Sequence, residues 1–259
     1  MVGCPLDQEP RRGQARRVRS VKIPLRADLE GVLVRRYKRF LADIETRDGE
    51  LITVHCPNPG AMLGCSTPGS QVRCSTSDNP KRKLPHTLEM IRVGRSWVGL
   101  QPMHANRLTR SALEAGAIAK LRGYRDVRPE VKVHGGSRLD FMLSDHPRKH
   151  ERVYVEVKSV TLADFSDGAR VARFPDAVTT RGRRHMETLA ELRGQGARAV
   201  VLFVVQRVDC DTMEPADAID PAYGEALRKA CANGVEAIAV QARVTARAIH
   251  LEHELPISL

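Results

Sequence analysis

Aromatic residues are scarce in this 259-residue chain, where they make up 4% of the sequence and include a single tryptophan, Trp97. That scarcity argues against a nucleic-acid surface built as an extended series of base-stacking platforms. Long apolar runs are missing as well. The run at 199–205 is too short to cross a bilayer as a helix, and no apolar stretch of the secretory type follows the charged N-terminus. We therefore expect a soluble, cytoplasmic protein with no membrane partner.

The six cysteines do not have the spacing of a structural zinc site. Cys56, Cys65 and Cys74 are evenly spaced, but no pair shows the close C-x-x-C arrangement. Because no secretory signal is visible, we expect the thiols to be reduced. The sequence therefore favours neither a disulfide framework nor a cysteine-held metal, and its 42% of hydrophobic residues is enough to form a core.

Acidic side chains are outnumbered, since 31 Asp and Glu stand against 42 Lys and Arg and give a formal net charge of +11. A basic surface attracts phosphodiesters, anionic lipid headgroups or acidic proteins, and nucleic acid is the commonest of these partners. Arginine-rich codon usage produces the same charge without any function. The charge alone leaves both explanations open.

The pattern of apolar residues divides the chain into three segments. Residues 1–20 carry five arginines and few apolar side chains, which predicts a basic, disordered leader. Residues 21–101 read as short strands and turns, which fits a small β-barrel of the OB type and other small barrels equally well. Residues 102–259 alternate helical and strand patterns and predict an α/β domain.

The strands and helices of both segments are predicted from periodicity and turn residues. Barrel strands are expected at 31–34, 40–44, 51–55, 70–74, 86–90 and 97–100. In the second segment helices are expected at 106–121, 181–193 and 221–232, and strands at 131–133, 138–143, 153–158, 199–205 and 235–240. The continuous apolar run at 199–205 indicates a central strand covered on both faces.

Two of these strands carry a constellation of charged residues. Alternation places Glu156 and Lys158 on one face of the strand 153–158, and Asp140 on the polar face of the strand 138–143. If the antiparallel hairpin brings these faces together, two carboxylates can hold Mg²⁺ while the lysine orients a water or stabilises negative charge. Such a site suits phosphodiester hydrolysis. A solvated strand face with a modest ion pair explains the same spacing.

Several longer motifs resemble the sugar fermentation stimulation (SfsA) family, in order, over residues 25–259. They are Arg-Tyr-Lys-Arg-Phe-Leu-Ala-Asp at 36–43, His-Cys-Pro-Asn-Pro-Gly-Ala-Met-Leu-Gly-Cys at 55–65, Ser-Arg-Leu-Asp-Phe at 137–141, Glu-Val-Lys-Ser-Val-Thr-Leu at 156–162, Phe-Pro-Asp-Ala-Val-Thr at 174–179, Arg-Gly at 181–182 with His185, and 216–221.

This resemblance implies an α+β protein of two domains, with an N-terminal OB-like β-barrel followed by an α/β domain like the PD-(D/E)xK restriction endonucleases. It implies a cytoplasmic DNA-binding protein, described in that family as a regulator of sugar (maltose) metabolism. The PD-(D/E)xK pattern then maps its acids to Asp140 and Glu156, the proposed ligands of Mg²⁺, and its lysine to Lys158.

The sequence departs from the family pattern at three positions. Pro59 replaces the usual threonine of the His-Cys-Pro-Asn-Thr-Gly turn, and Thr180 stands where the family commonly has glutamate. Ser111 occupies the helix position where an acid of the nuclease site is expected, with Glu114 one turn on as a poor substitute. A missing acid is expected to weaken a metal site without removing it.

Two basic groups are predicted to contact DNA. Arg35, Arg36, Lys38 and Arg39 surround Tyr37 and suit a phosphate-binding patch on the barrel, although a solvated face explains the run equally well. Arg181 and His185 lie four residues apart and therefore share a helix face, where they either touch a phosphate or form a capping and packing cluster.

Two functions remain open from the sequence. The first is a DNA-binding protein with a Mg²⁺-dependent nuclease centre. The second is a non-catalytic DNA-binding regulator that uses the nuclease-like domain as a scaffold. Asp140, Glu156 and Lys158 favour the enzyme, and Ser111 favours the scaffold.

Overall fold

The computed structural model describes residues 17–133 and 136–259, so most of the predicted leader, residues 1–16, lies outside the described part. The described chain forms a β-barrel, a seven-stranded mixed sheet with helices on both faces, and a small three-stranded sheet. The α+β class expected from the sequence is confirmed. None of the helices within the described residues is both long and apolar enough to span a membrane.

The barrel is closed by five strands. They pair in the order β4-β3-β2-β5-β6, and a further pairing of β4 with β6 closes the ring, while β7 adds to the edge of β6. Alternate side chains point inward and form a separate apolar core that includes Leu33, Ile44 and Leu88. The strands are β2 (Leu29–Tyr37), β3 (Leu41–Thr46), β4 (Leu51–His55), β5 (Gln71–Thr76), β6 (His86–Val93) and β7 (Ser96–Gly99).

The seven-stranded sheet has the order β1-β16-β15-β13-β10-β9-β8. Its central strand, β13, runs parallel to β10 and β15, while β9 pairs antiparallel with β10 as the predicted hairpin. The strands are β1 (Arg17–Pro24), β8 (Asp126–Lys132), β9 (Arg138–Ser144), β10 (Val153–Val160), β13 (Arg198–Val205), β15 (Glu236–Val244) and β16 (Ala248–Leu255). The small sheet contains β11 (Leu162–Asp164), β12 (Val171–Phe174) and β14 (Thr212–Pro215).

Helices cover both faces of the large sheet, as the apolar run of β13 requires. The helix α1 (Pro102–Glu114) packs on one face with Val200 and Leu202, whereas α2 (Thr180–Gly194) and α3 (Pro221–Ala232) pack on the other with Val201 and Phe203. Short 3-10 helices at Ala119–Leu121 and Ser166–Gly168 complete the helical elements.

The first helix ends earlier than its pattern predicted. Periodicity extends from 106 to 121, but α1 ends at Glu114, and Gly116 follows with a φ of +59°, which terminates the helix. The apolar residues beyond it, among them Ile118 and Leu121, are buried in the same core from an irregular turn. The apolar spacing beyond residue 114 therefore reflects burial in this core and not a continuation of the helix.

The start of the barrel is also corrected by the structure. The sequence predicts a barrel that begins at residue 21, but residues 21–24 belong to β1, which pairs antiparallel with β16 in the seven-stranded sheet. The alternate residues Val21, Ile23 and Leu25 are buried in the core that α1 covers. An amphipathic strand near the terminus carries no local signal for the sheet it joins, and β16 was itself missed because its polar residues interrupt the pattern.

Polar contacts and a close approach of the backbone join the barrel to the second domain. The Met62 amide donates to Asp176 Oδ2 at 2.9 Å, and His104 Nε2 of α1 lies 2.8 Å from Glu89 Oε2 of β6, with both side chains of this second pair buried. A Cβ at Gly60 would lie within 2.4 Å of both Asp176 carboxylate oxygens, so only glycine allows this approach. The loop that contains Gly60 is thereby fixed against the second domain.

Truncation of Ile23 tests the assignment of β1 to the seven-stranded sheet. Ile23→Ala removes a buried side chain and should lower the free energy of unfolding by about 2 kcal/mol or more. Lys22→Ala, on the exposed face of the same strand, should change it by less than about 0.5 kcal/mol. Urea denaturation followed by circular dichroism measures both, and equal small effects would contradict the docking of β1.

Candidate functional site

The site lies where the hairpin strands β9 and β10 stop pairing. Their register runs from Leu143 opposite Val153 to Phe141 opposite Val155, and the next residues outward are Asp140 and Glu156. At this point Asp140 Oδ2 accepts a hydrogen bond from the Val157 amide at 2.7 Å, so a side chain takes the place of the next ladder hydrogen bond. The carboxylate of Asp140 is thereby held against the strand that carries Glu156.

Glu156 and Lys158 form a buried ion pair, with side chains 5% and 10% exposed. Lys158 Nζ donates to Glu156 Oε1 at 2.8 Å. The same oxygen contacts Nδ1 of His185, which arrives from α2 and is also buried. Glu156 Oε2 is buried without a hydrogen-bond partner among the described residues. One oxygen of this carboxylate is therefore fully engaged, while the other remains available for a cation or a donor.

His185 is held between Glu156 and Arg181. Its Nδ1 contacts the carboxylate, and its Nε2 lies 3.4 Å from Arg181 Nε. Arg181 and His185 both lie on α2 and share a helix face, as their spacing of four predicts. Thr179 caps the start of this helix by accepting from the Gly182 amide at 3.0 Å. The expectation that His185 reaches DNA directly does not suit its position, since its side chain is only 7% exposed.

The first helix offers an amide to the site. Asn106 Nδ2 donates to Asp140 Oδ1 at 2.7 Å, a contact that the sequence analysis missed. The family pattern places an acid at Ser111 instead, but Asn106 and Ser111 are five residues apart on the helix and therefore point about 140° away from each other. Glu114 pairs with Arg110 at 2.8 Å on the exposed side and does not replace the missing acid. A polar residue at the start of an otherwise buried helix face was the available signal.

The pKa values of the two carboxyl groups are shifted in opposite directions. Burial, together with the charge of Glu156, raises the pKa of Asp140 to about 6. Burial also opposes ionisation of Glu156, but the hydrogen bonds and charges of His185 and Lys158 outweigh it and hold the pKa of Glu156 below its ordinary value. Glu156 is therefore a charged carboxylate near neutral pH, and Asp140 is poised to titrate just below it.

A buried tyrosine adds to the low-dielectric surroundings of Glu156. Tyr223 of α3 is fully buried, its ring contacts Phe174 edge-on at 5.2 Å, and its hydroxyl has no hydrogen-bond partner among the described residues. Burial and the charge of Glu156 raise the pKa of Tyr223 well above its ordinary value. The sequence predicted the helix at 221–232 but gave no sign that it faces this site.

Two of the predicted DNA-contacting arginines have partners within the barrel. Arg35 Nε donates to the buried carboxylate of Asp43 at 2.8 Å. Arg36 donates to the backbone carbonyls of Asn58 at 3.0 Å and Gly60 at 2.9 Å, and so holds the loop that contacts the second domain. Arg36 therefore stabilises the loop, whereas the exposed Arg35 uses only Nε in its hydrogen bond with Asp43 and presents its other N–H groups to solvent.

A cleft of about 580 Å³ between the two domains leads to the site. Its walls are the barrel loop 58–60, the strand segment 157–159 that contains the buried lysine, and the segment 173–179. Arg39 and Arg181, both exposed, also line it. The structure thus brings one residue of each predicted basic group to the same opening, while the exposed Lys38 lies one residue from Arg39 in the turn after β2.

Comparison with known proteins identifies both parts of the chain. A family model described as the sugar fermentation stimulation protein RE domain matches residues 103–248, and one described as the SfsA N-terminal OB domain matches residues 34–100. These descriptions agree with the barrel and the mixed sheet, and confirm the OB and nuclease-like fold classes.

Individual relatives cover nearly the whole chain. It is 49% identical over 231 residues to a sugar fermentation stimulation protein homolog of Geotalea daltonii, covering 89% of this chain and 97% of that protein. A homolog of Geobacter metallireducens is 49% identical over 230 residues, with 88% and 96% covered. The solved structure of Pyrococcus furiosus SfsA, in complex with Ca²⁺, superposes with a TM-score of 0.79 at 22% identity and covers 95% and 100% of the two chains, which shows the shared fold.

The raised pKa of Asp140 predicts a pH-dependent gain of stability on its removal. The folded state binds this proton more tightly than the unfolded chain, so the stabilisation is present at low pH and is lost as the pH rises through about 6. In EDTA, the stability of Asp140→Asn relative to the wild type should therefore increase by about 1 kcal/mol or more between pH 5 and pH 8, because the buried charge destabilises the wild type only as Asp140 ionises.

Urea denaturation at several pH values measures this difference. The exposed carboxyl of Asp145, in the turn of the same hairpin, provides a matched control, and Asp145→Asn should show no such dependence. A difference between Asp140→Asn and the wild type that does not change between pH 5 and pH 8 would contradict the burial of the Asp140 charge.

Proposed function

The chain belongs to the sugar fermentation stimulation protein family, and from that premise we propose that it is a DNA-binding protein with a divalent-metal-dependent phosphodiester-hydrolysing centre. The observation that carries the proposal is the convergence of Asp140, Glu156 and Lys158 at one buried point beside an open, basic cleft. A merely solvated strand face would leave the ion pair exposed, but Glu156 and Lys158 are almost completely buried.

The residues present fit a hard divalent cation. Glu156 Oε2 is buried without a partner, and each oxygen of Asp140 accepts a single hydrogen bond, which leaves a lone pair on each. Within residues 17–133 and 136–259 no group of three metal-ligating side chains is found. Two carboxylates suit Mg²⁺, which commonly takes one or two of them and completes its shell with water and phosphate oxygens. When bound, the metal would supply charge neutralisation and an activated water.

The remaining side chains have defined tasks under this proposal. Lys158 Nζ, fixed by Glu156, can donate a further hydrogen bond toward the cleft, to the water or to a non-bridging oxygen of the phosphate. His185 acts as a positioning residue, because its contact with Glu156 Oε1 leaves Oε2 as the free ligand. Asn106 and the Val157 amide fix Asp140 in the same way.

DNA contact is proposed for the exposed cations at the opening. Arg39 and Arg181 line the cleft, and neither forms an ion pair with a carboxylate in the described part of the chain. Lys38 and Arg35 extend the basic surface along the barrel. Such side chains bind the phosphate backbone without reading base sequence. Because its substrate would be intracellular DNA, we place the protein in the cytoplasm.

A non-catalytic regulator of sugar (maltose) metabolism is the second candidate function. Two observations favour it. Lys158 and His185 already contact Glu156 Oε1, and the residue that α1 contributes to the site is the amide Asn106 rather than an acid. In that case the buried network specifies the fold and the cleft only binds DNA. The two functions differ in one measurable property, which is metal-dependent cleavage.

Removal of either Asp140 or Lys158 should abolish cleavage. We expect purified protein to cleave DNA with Mg²⁺ or Mn²⁺ but not with EDTA, and Asp140→Ala and Lys158→Ala to lose at least about 100-fold of the rate. Gel analysis of labelled single- and double-stranded DNA measures the rates. Glu114→Ala, which removes an exposed carboxylate of α1, is the control and should retain full activity. Equal cleavage by both site variants would indicate a contaminating nuclease and contradict the assignment.

Removal of single cations at the cleft should weaken binding and its dependence on salt. Arg39→Ala and Arg181→Ala should each lower affinity and reduce the slope of log affinity against log salt by about 1. Fluorescence anisotropy in EDTA measures the slope without cleavage. Arg247→Ala, in the exposed turn between β15 and β16 and outside the cleft lining, should leave it unchanged. Equal slopes in all three variants would place the DNA elsewhere.

A further inference from the structure

Three exposed apolar side chains either line the cleft or directly follow one of its lining residues along the chain. Val178 lines it and is 69% exposed, and Phe40 and Met103, 44% and 69% exposed, directly follow the lining residues Arg39 and Pro102. They come from three elements, namely the barrel turn after β2, the start of α1 and the segment before α2. Isolated exposed apolar residues are ordinary, but these three belong to the segments that also form the basic cleft, and we call them the apolar rim.

The depth and size of the cleft limit what can reach the site. Glu156 and Lys158 are nearly buried, so the reacting phosphate must enter the cleft rather than lie across its surface. A cleft of about 580 Å³ falls in the range of roughly 300–1,000 Å³ that encloses one drug-sized ligand. One or two nucleotides of an extended strand match that size, whereas a base-paired duplex is much wider.

The charge of the cleft matches a nucleic acid backbone. Arg39, Arg181 and Lys158 line it, while a further cation, Arg173, is neutralised by two carboxylates. The one acid of the lining, Asp176, accepts the Met62 amide. The free cations of the cleft therefore come from the same segments of the chain as the apolar rim.

From this combination we infer that the cleft takes single-stranded DNA, with phosphates toward Arg39 and Arg181 and unpaired bases against Phe40, Met103 and Val178. In a duplex the bases are stacked inside and the rim would face only the charged backbone. In a single strand the bases are free to stack on aromatic and apolar side chains, which is the general mode of single-strand recognition. The inference rests on the proposed function, because it names the substrate of that same site.

Binding of matched single- and double-stranded DNA tests this inference. Fluorescence anisotropy in EDTA should show that a labelled strand of about 12 nucleotides binds at least about tenfold more tightly than its duplex. Phe40→Ala and Val178→Ser should each lower single-strand affinity about fivefold or more and leave duplex affinity unchanged. Leu51→Ala removes a barrel side chain that is 63% exposed outside the cleft and serves as the matched control, with no change in either affinity.

A strand of the same length with abasic sites separates base contacts from phosphate contacts. It should bind the wild type at least as weakly as the normal strand binds Phe40→Ala, because it loses base contacts with the whole rim. Duplex binding equal to or tighter than single-strand binding, or rim variants that match Leu51→Ala, would overturn the inference. Because binding is measured without metal, single-strand preference combined with no cleavage would refute only the proposed catalysis. Metal-dependent cleavage combined with duplex preference would refute only the single-strand cleft.

Discussion

The buried charge of Glu156 is the constraint on which the rest of the site depends. A carboxylate this far from water is stable only with compensating charge and hydrogen bonds, and Lys158 and His185 supply both at one oxygen. That requirement fixes α2 against β10 and brings Arg181 to the mouth of the cleft. It also raises the pKa of the neighbouring Asp140, since burial and a second negative charge act in the same direction. Burial of these two carboxylates lowers stability, but it places their free oxygens where a cation could bind them.

The barrel contributes to the site by shaping its entrance. Arg36 holds the loop carbonyls of Asn58 and Gly60, and Asp176 of the second domain receives the Met62 amide, so the loop forms one wall of the cleft. The OB domain therefore acts together with the nuclease-like domain as one surface. This arrangement explains why the motif at 55–65 is rich in turn residues and why one of its glycines tolerates no side chain.

Strand periodicity predicted the placement of Glu156 and Lys158 on one face of β10, because alternation in a strand depends only on the backbone. The sequence also predicted β13, because its apolar run is continuous. It predicted the helix Pro221–Ala232 because a proline begins this helix and Asn233-Gly234 follows it. The sequence could not predict the contact of Asn106 with Asp140 or the burial of His185, because both depend on how the helices are oriented over the sheet. The pairing of β1 with β16 likewise joins the two ends of the chain, which no local pattern specifies.

Asp140 and Glu156 are the proposed ligands of a divalent cation beside Lys158. The most direct test is a crystal of the protein soaked in Mn²⁺, with anomalous scattering used to locate the metal. The structure predicts a single strong peak in contact with Glu156 Oε2 and the Asp140 carboxylate, which disappears in crystals of Asp140→Ala. A peak elsewhere, or a site in which the ammonium of Lys158 alone occupies the space between the two carboxylates, would contradict a metal-dependent centre.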